Sequence, residues 1–246
     1  MRIALLSDIH ANREALSACL DHARASQAEH YVFLGDYVGY GADPDWAVST
    51  IMAYVERGAT AIQGNHDAAI FSRRQQMNDT AQATIEWTRG RLNPIQLQFL
   101  QHLPLVVEQG ELLFVHANAW APDRWGYITG PRDAGRSLQA TRCRITCCGH
   151  VHSPQLYYLS ATGKIGEFTP VSGVAVPMPR PRRWVAVIGA VGQPRDGNPA
   201  ASYAILDDKR HLLTSVRVPY DIDSAARKIG AAGLPLSLAM RLEDGY

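Results

Sequence analysis

Short apolar runs alternate with helical patterns through the first third of the chain: "IALL", "REALSACLDHA", "YVFL", "WAVSTIMAYVE" and then "TAI". In the first helical stretch Ala15, Leu16, Cys19, Leu20 and Ala23 share one face, and Asn12 is placed to cap its start. This alternation predicts a parallel sheet with right-handed crossovers. Residues 79 to 103 read as helical, with a break at Asn93 and Pro94. Beyond them the pattern turns to β. "LPLVVEQGELLFVHA" predicts a hairpin turning at Gln109 and Gly110, and "RITCCGH", "QLYYL", "KIGEF", "RWVAVIGAVG", "SYAILDD" and "HLLTSVRVP" continue as strands. "DIDSAARKIGAAG" predicts a late helix, whereas the last residues carry no clear pattern. No composition break, repeat or low-complexity tract divides the chain, so a single domain over 1–246 is expected.

Five polar clusters interrupt this pattern at equivalent places. "SDIH" follows "IALL", "GDY" follows "YVFL", "GNHD" follows "TAI", "HAN" follows "LLFV" and "GHVH" follows "RITCC". Each falls at the carboxyl end of a predicted strand, the edge where loops of open α/β sheets converge on ligands. A lone "GNHD" would read as a tight turn and helix cap. Five agreements argue for a site. In extended backbone, residues two apart project to one side, so Asp8 can aim with His10, and His150 with His152. Such pairs clamp a borderline metal ion. With His66, His116, Asp36 and Asn65 added, the inventory exceeds the needs of one four-coordinate ion and points to two ions sharing a carboxylate.

Bulk properties change this picture little. At 246 residues and 46% hydrophobic composition the chain can bury a sizeable core. The formal charge of +1 provides no global field toward nucleic acid or membrane. "MRIALLSDIHAN" is too short an apolar run for a signal peptide or membrane span, which makes a cytoplasmic location the expectation. "RCRITCCGH" invites a zinc reading, but the adjacent Cys147 and Cys148 would face opposite sides of a strand; buried thiols are expected.

The blocks "DIH", "GDYVGYG", "GNHD", "FVHA" and "GHVH", in that order, resemble the D-x-H, GD, GNH[DE], H and GHxH pattern of the calcineurin-like metallophosphoesterases. "SDIHAN", "GDYVGYGADP" and "VGQPRDGNPAASYAILD" are similar to the small bacterial single-domain phosphodiesterases of that superfamily, and the resemblance spans Arg2 to about Asp208. It implies an α/β fold, a four-layer α/β/β/α sandwich of two mixed sheets flanked by helices. It also implies that Asp8, His10 and His152 bind one metal, that Asn65, His116 and His150 bind the other, and that Asp36 bridges them. The ions would be divalent or trivalent transition metals, with Mn, Fe, Zn, Ni and Co all compatible with a mixed N/O set. A bridging water or hydroxide would be the nucleophile, because coordination brings the pKa of water from about 15.7 to about 7. His66 would act on the leaving oxygen as general acid, and Asp67 would hold the loop or cap the next helix.

One departure separates the chain from the serine/threonine phosphatases and symmetrical dinucleoside tetraphosphatases that resemble it. Those carry GDxxDRG, whose Asp orients the catalytic histidine and whose Arg contacts phosphate, whereas the corresponding positions here are Gly39 and Tyr40. His66 then needs another orienter, for which Asp43 or a backbone carbonyl is available. Arg195 in "GQPRDG" either holds a substrate phosphate or is a surface residue of a turn. The prolines and arginines of "PMPRPRRW" read as a basic loop between strands, with a partner-docking or anion-attracting role as the alternative.

The expected function is dinuclear-metal hydrolysis of a phosphodiester or phosphoanhydride, with a nucleotide such as a dinucleoside polyphosphate favoured as the small phosphorylated substrate. Neither nucleic acid nor membrane is an expected partner. The rival is a non-catalytic metal-binding scaffold of the same fold.

Overall fold

A computed structural model describes residues 1–72 and 77–246. Its first half runs β1 (Arg2–Leu6), α1 (Arg13–Ala25), β2 (His30–Phe33), α2 (Pro44–Glu56), β3 (Thr60–Ala61), α3 (Asn65–Ala69), α4 (Asp79–Arg89) and α5 (Pro94–Gln101). The second half runs β4 (Val106–Gln109), β5 (Leu112–Val115), a 3-10 turn (Pro122–Arg124), α6 (Pro131–Gln139), β6 (Ile145–Cys148), β7 (Gln155–Leu159), β8 (Ile165–Phe168), β9 (Ala175–Pro177), β10 (Arg183–Val187), β11 (Ala201–Asp207), β12 (Leu212–Val218), α7 (Ile222–Ala231) and α8 (Leu236–Asp244).

The strands form two mixed six-stranded sheets, ordered β3-β2-β1-β11-β12-β9 and β4-β5-β6-β10-β7-β8. β1, β2 and β3 pair in parallel in the first, as do β5, β6 and β10 in the second. Period-two alternation makes this a four-layer sandwich. Ile3 and Leu5 of β1 meet Phe114, Ile145, Cys147, Trp184 and Ala186 between the sheets. Ala4 and Leu6 turn instead to Leu16, Cys19 and Leu20 of α1. On the far side Val185 and Val187 pack with Cys148 against Ala134 and Leu138 of α6. Cys147 and Cys148 thus face opposite layers as free thiols, and burial pushes Cys147 up to about 12.

Local chemistry explains the helix starts. The five apolar residues of α1 anticipated from their spacing are its buried residues, and Asn12 Oδ1 accepts from Ala15 N at 3.1 Å. Pro94 opens α5 behind the cap Asn93, so the break separates two helices rather than kinking one. At the C-terminus, which carries no clear periodicity, α8 forms and with α7 buries Ala225, Ile229, Leu238 and Leu242 against Tyr40. Among the described residues no helix is long and apolar enough to cross a membrane.

The inter-sheet layer is expected to dominate stability. Leu5→Ala, at a fully buried position, should cost about 2–5 kcal/mol in urea unfolding. Ile95→Ala, at a position 66% exposed, should change it by less than about 0.5 kcal/mol.

Candidate metal centre

The turns leaving β1, β2, β3, β5 and β6 meet where the two sheets share an edge. Backbone bonds knit them together before any side chain acts: Asp8 N donates to Gly35 O at 3.1 Å, His10 N to Asp36 O at 2.9 Å, and Gly149 N to His116 O at 2.9 Å. Such approach needs glycine. A Cβ on Gly64 would strike the backbone and carboxylate of Asp36, and one on Gly149 would strike Ser7 and Asp8. Aiming the side chains inward also bends the chain into left-handed backbone: φ is 51° at Asp8, 47° at His10, 55° at Asp36, 67° at His150 and 66° at His152. Non-glycine residues adopt that region at a cost, and a concentration of them marks a functional constraint.

Two donor groups result. Asp8, His10, Asp36 and His152 form one, Asp36, His116 and His150 the other, and within each the potential ligand atoms lie within 4.8 Å of one another. Asp36 belongs to both. Its Oδ2 is 3.7 Å from His10 Nε2 and 3.4 Å from His116 Nε2. Asp8 Oδ1 lies 3.2 Å from His152 Nε2, and Asn65 Oδ1 lies 3.0 Å from His116 Nε2. All seven residues singled out from the sequence are therefore brought together.

Each imidazole is oriented by a main-chain carbonyl. His10 Nδ1 donates to Val38 O at 3.1 Å, His116 Nδ1 to Leu34 O at 2.7 Å, and His152 Nδ1 to Gln193 O at 2.7 Å. His150 is reversed, its Nε2 donating to Trp125 O at 2.9 Å. A proton held on the carbonyl side leaves the other nitrogen as a lone pair for the interior. Facing Nε2 atoms of His10 and His152 are then two acceptors 3.2 Å apart, and Asn65 Oδ1 and His116 Nε2 two more at 3.0 Å. Acceptors this close repel unless a cation or a proton lies between them. The residues present fit metal ions.

Electrostatics agree. Burial would raise Asp36, but His116 and His66 outweigh it and hold the carboxyl well below the usual range. Burial would lower His116, yet the facing Asp36 carboxylate lifts it to about 9. His150 is pushed down to about 3 by burial and by His116, so its ring is neutral at pH 7.

A family model for the calcineurin-like phosphoesterase superfamily domain matches residues 1–211. The chain belongs to that superfamily. An uncharacterised protein of Methanocaldococcus jannaschii is 32% identical over 246 residues, covering 98% of this chain and 96% of the relative. The crystal structure of a metallophosphoesterase from Sphaerobacter thermophilus superposes with a TM-score of 0.88 at 34% identity, over 100% of this chain and 99% of that one. A hypothetical protein from Pyrococcus horikoshii shares the fold, with a TM-score of 0.80 at 19% identity over 100% of this chain and 98% of its own. The chain is thus a metallophosphoesterase, a phosphoric ester hydrolase.

Around the centre, this metallophosphoesterase departs from two expectations. Asp43 does not orient His66: its Oδ2 accepts from Lys228 Nζ at 2.8 Å, and the same ammonium bonds Glu14 at 2.6 Å. Nor does a carbonyl take that place, because His66 Nδ1 is buried with no hydrogen-bond partner among the described residues. The ring is instead wedged edge-on between His10, at 4.8 Å, and Tyr40, at 4.6 Å. Its backbone N donates to Asp36 Oδ1 at 2.8 Å. Burial, against the attraction of Asp36, pushes His66 down to about 4.

Asp67 holds the loop, its Oδ2 accepting from Gly64 N at 2.9 Å and Asp36 N at 2.8 Å, and its Oδ1 from Tyr37 N at 2.9 Å. Arg195 reaches the site, its guanidinium 5.7 Å from the Tyr40 ring centroid and Nη2 bonded to Gln193 Oε1 at 3.0 Å. The basic "PMPRPRRW" segment does not: Trp184 lies beside Ile145, at the opposite end of β6 from His150. Trp125 and Tyr127 also border the site, and three aromatic residues in the "AWAPDRWGY" loop directly after "FVHAN" are a signal for them that the sequence reading did not use.

Asp67→Asn would turn an amide N–H toward backbone donors. It should lower stability by about 1–3 kcal/mol in denaturant unfolding and reduce metal per chain measured by mass spectrometry.

Proposed function

We propose that the chain hydrolyses a phosphodiester or phosphoanhydride at a dinuclear metal centre, Asp8, His10 and His152 holding one ion, Asn65, His116 and His150 the other, and Asp36 both. The observation that carries this reading is the position of Asp36, shared by two donor groups while its Oδ1 anchors the backbone of His66. When bound, two such ions supply Lewis acidity and lower the pKa of water, the chemistry of in-line displacement at phosphorus.

The chain's own residues do the rest. His66 Nε2 faces the centre, 4.0 Å from Asp36 Oδ2. In this reading it delivers a proton to the leaving oxygen as the P–O bond breaks and water enters at phosphorus. The negative charge of the bound phosphate raises a ring that burial otherwise holds down to about 4. Arg195 takes the place of the arginine lost with GDxxDRG and grips non-bridging oxygens. Among the described residues no carboxylate pairs with its guanidinium, and its Nε is buried without a partner. An unneutralised arginine beside a metal centre suits a phosphate that keeps a negative charge, as diesters and anhydrides do. A nucleotide-type substrate, Mn or a similar ion, and a cytoplasmic setting with reduced thiols belong to the same reading. The intact donor set and the buried His66 favour an enzyme over a scaffold.

Mn-reconstituted protein is expected to turn over bis-p-nitrophenyl phosphate or diadenosine tetraphosphate, and chelation should abolish the activity. His66→Ala should lower kcat by at least about 100-fold with metal per chain unchanged. Failure of the wild type on every phosphoester and nucleotide, with two metals bound, would sink the proposal. Arg195→Met should act mainly on KM, by about tenfold, in steady-state kinetics.

A further inference from the structure

The loop between β5 and α6 does more than connect them. Asn118 is fully buried, its Nδ2 donating to Gly126 O at 2.8 Å and its Oδ1 accepting from Ala121 N at 2.9 Å, so the loop closes on itself. Asp133 pins its far end by accepting from Thr129 N and Oγ1, at 3.2 and 3.0 Å. Trp125 is held in left-handed backbone with φ 54°, which turns its carbonyl to His150 Nε2 and its ring edge-on to His116, 5.9 Å away. Two residues on, Tyr127 lies flat against the outer face of the His150 ring, with centroids 4.1 Å apart and planes 18° from parallel.

Tyr127 is nevertheless 51% exposed. One face of the phenol covers His150, no second ring stacks on it among the described residues, and half of the residue stays in solvent beside the metal centre. A rigid aromatic face that is desolvated on one side only is a stacking platform, and its loop is anchored at both ends, so little entropy is lost when a ligand uses it. Arg195 borders the same centre through Tyr40, its guanidinium 5.7 Å from that ring, which in turn packs on His66 with centroids 4.6 Å apart.

We infer that Tyr127 is the specificity-determining residue of this site, stacking a flat aromatic group, of which a nucleobase is the type, carried by the substrate beside its reacting phosphate. The inference rests on the phosphohydrolase reading and narrows its substrate to nucleotide derivatives. A purely structural role, shielding His150 from water, would need only bulk at this position. The two roles make different predictions for ligands that differ only in the base.

Calorimetric titration of the Mn-loaded protein with adenosine 5'-monophosphate and with ribose 5-phosphate separates them. Wild type should bind the nucleotide about tenfold tighter or more, the scale of one base stacked on an aromatic side chain. Tyr127→Phe should keep that ratio, whereas Tyr127→Leu, which retains the cover over His150, and Tyr127→Ala should bring it close to one with metal per chain unchanged. A ratio near one in the wild type overturns the inference, as does a ratio preserved in Tyr127→Leu or an equal loss of both ligands in every variant. Binding is read without turnover, so an inactive protein that still prefers the nucleotide would refute the hydrolase reading and leave the platform standing.

Discussion

Two carboxylates buried side by side need positive charge, and the architecture of this protein is arranged around that need. Asp8 and Asp36 are 0% and 1% exposed, and taking one unpaired carboxylate out of water costs on the order of several kcal/mol. No lysine or arginine reaches into the centre to neutralise them among the described ion pairs; imidazoles surround them instead. Imidazoles held by carbonyls are ligands more than counter-ions, so the donor set is one that could hold metal ions. The lifted His116 shows the same demand in another form: Asp36 draws a proton where a metal ion would serve better.

Meeting that need sets the geometry of the surrounding backbone. Five turns have to point their side chains into one small volume, and they do so through left-handed residues and glycines whose neighbours leave no room for a Cβ. Strain of this kind persists only where the frame is stiff. The frame is the pair of sheets: parallel β1, β2 and β3 supply three turns, parallel β5 and β6 the other two, and the apolar layer between the sheets fixes their spacing. Beyond the family match, α7 brings Lys228 to Glu14 and Asp43, and the end of α8 accepts Gly197 N on Gly245 O at 3.0 Å. The C-terminal helices therefore brace the loops that carry Tyr40 and Arg195.

Centre and rim follow different rules. The centre is built of carboxylates and the imidazoles of His10, His116, His150 and His152, each ring held on one side by a main-chain carbonyl, whose inward atoms face one another. The rim, made of Tyr127 and Arg195 beside the buried Tyr40, leaves one half-exposed aromatic ring and a guanidinium next to the centre. In the proposed reading, metal chemistry belongs to the first and discrimination among phosphorylated ligands to the second.

Much of this was legible in one dimension. Alternation of period two and helical spacing found the strands and the buried face of α1, because both patterns are local consequences of backbone geometry. The five motif blocks were legible because each follows a predicted strand and together they match a family pattern. Asp8, His10, His150 and His152 nevertheless converge through left-handed turns rather than the extended backbone expected. What had no local signal was decided by packing. β9 is three residues long and exists because β12 offers an edge; α6, with a glycine in its middle, is a helix because Val185 and Val187 present an apolar surface to it. Asp43 stood in a plausible place to orient His66, yet Lys228, 185 residues away in sequence, claims it. Likewise Trp125 and Tyr127 acquire meaning only beside His150, 25 residues from Trp125. The sequence by itself determined which residues could hold metal and at which strand ends. Tertiary structure alone decided what surrounds them, because a partner far along the chain leaves no periodicity to read.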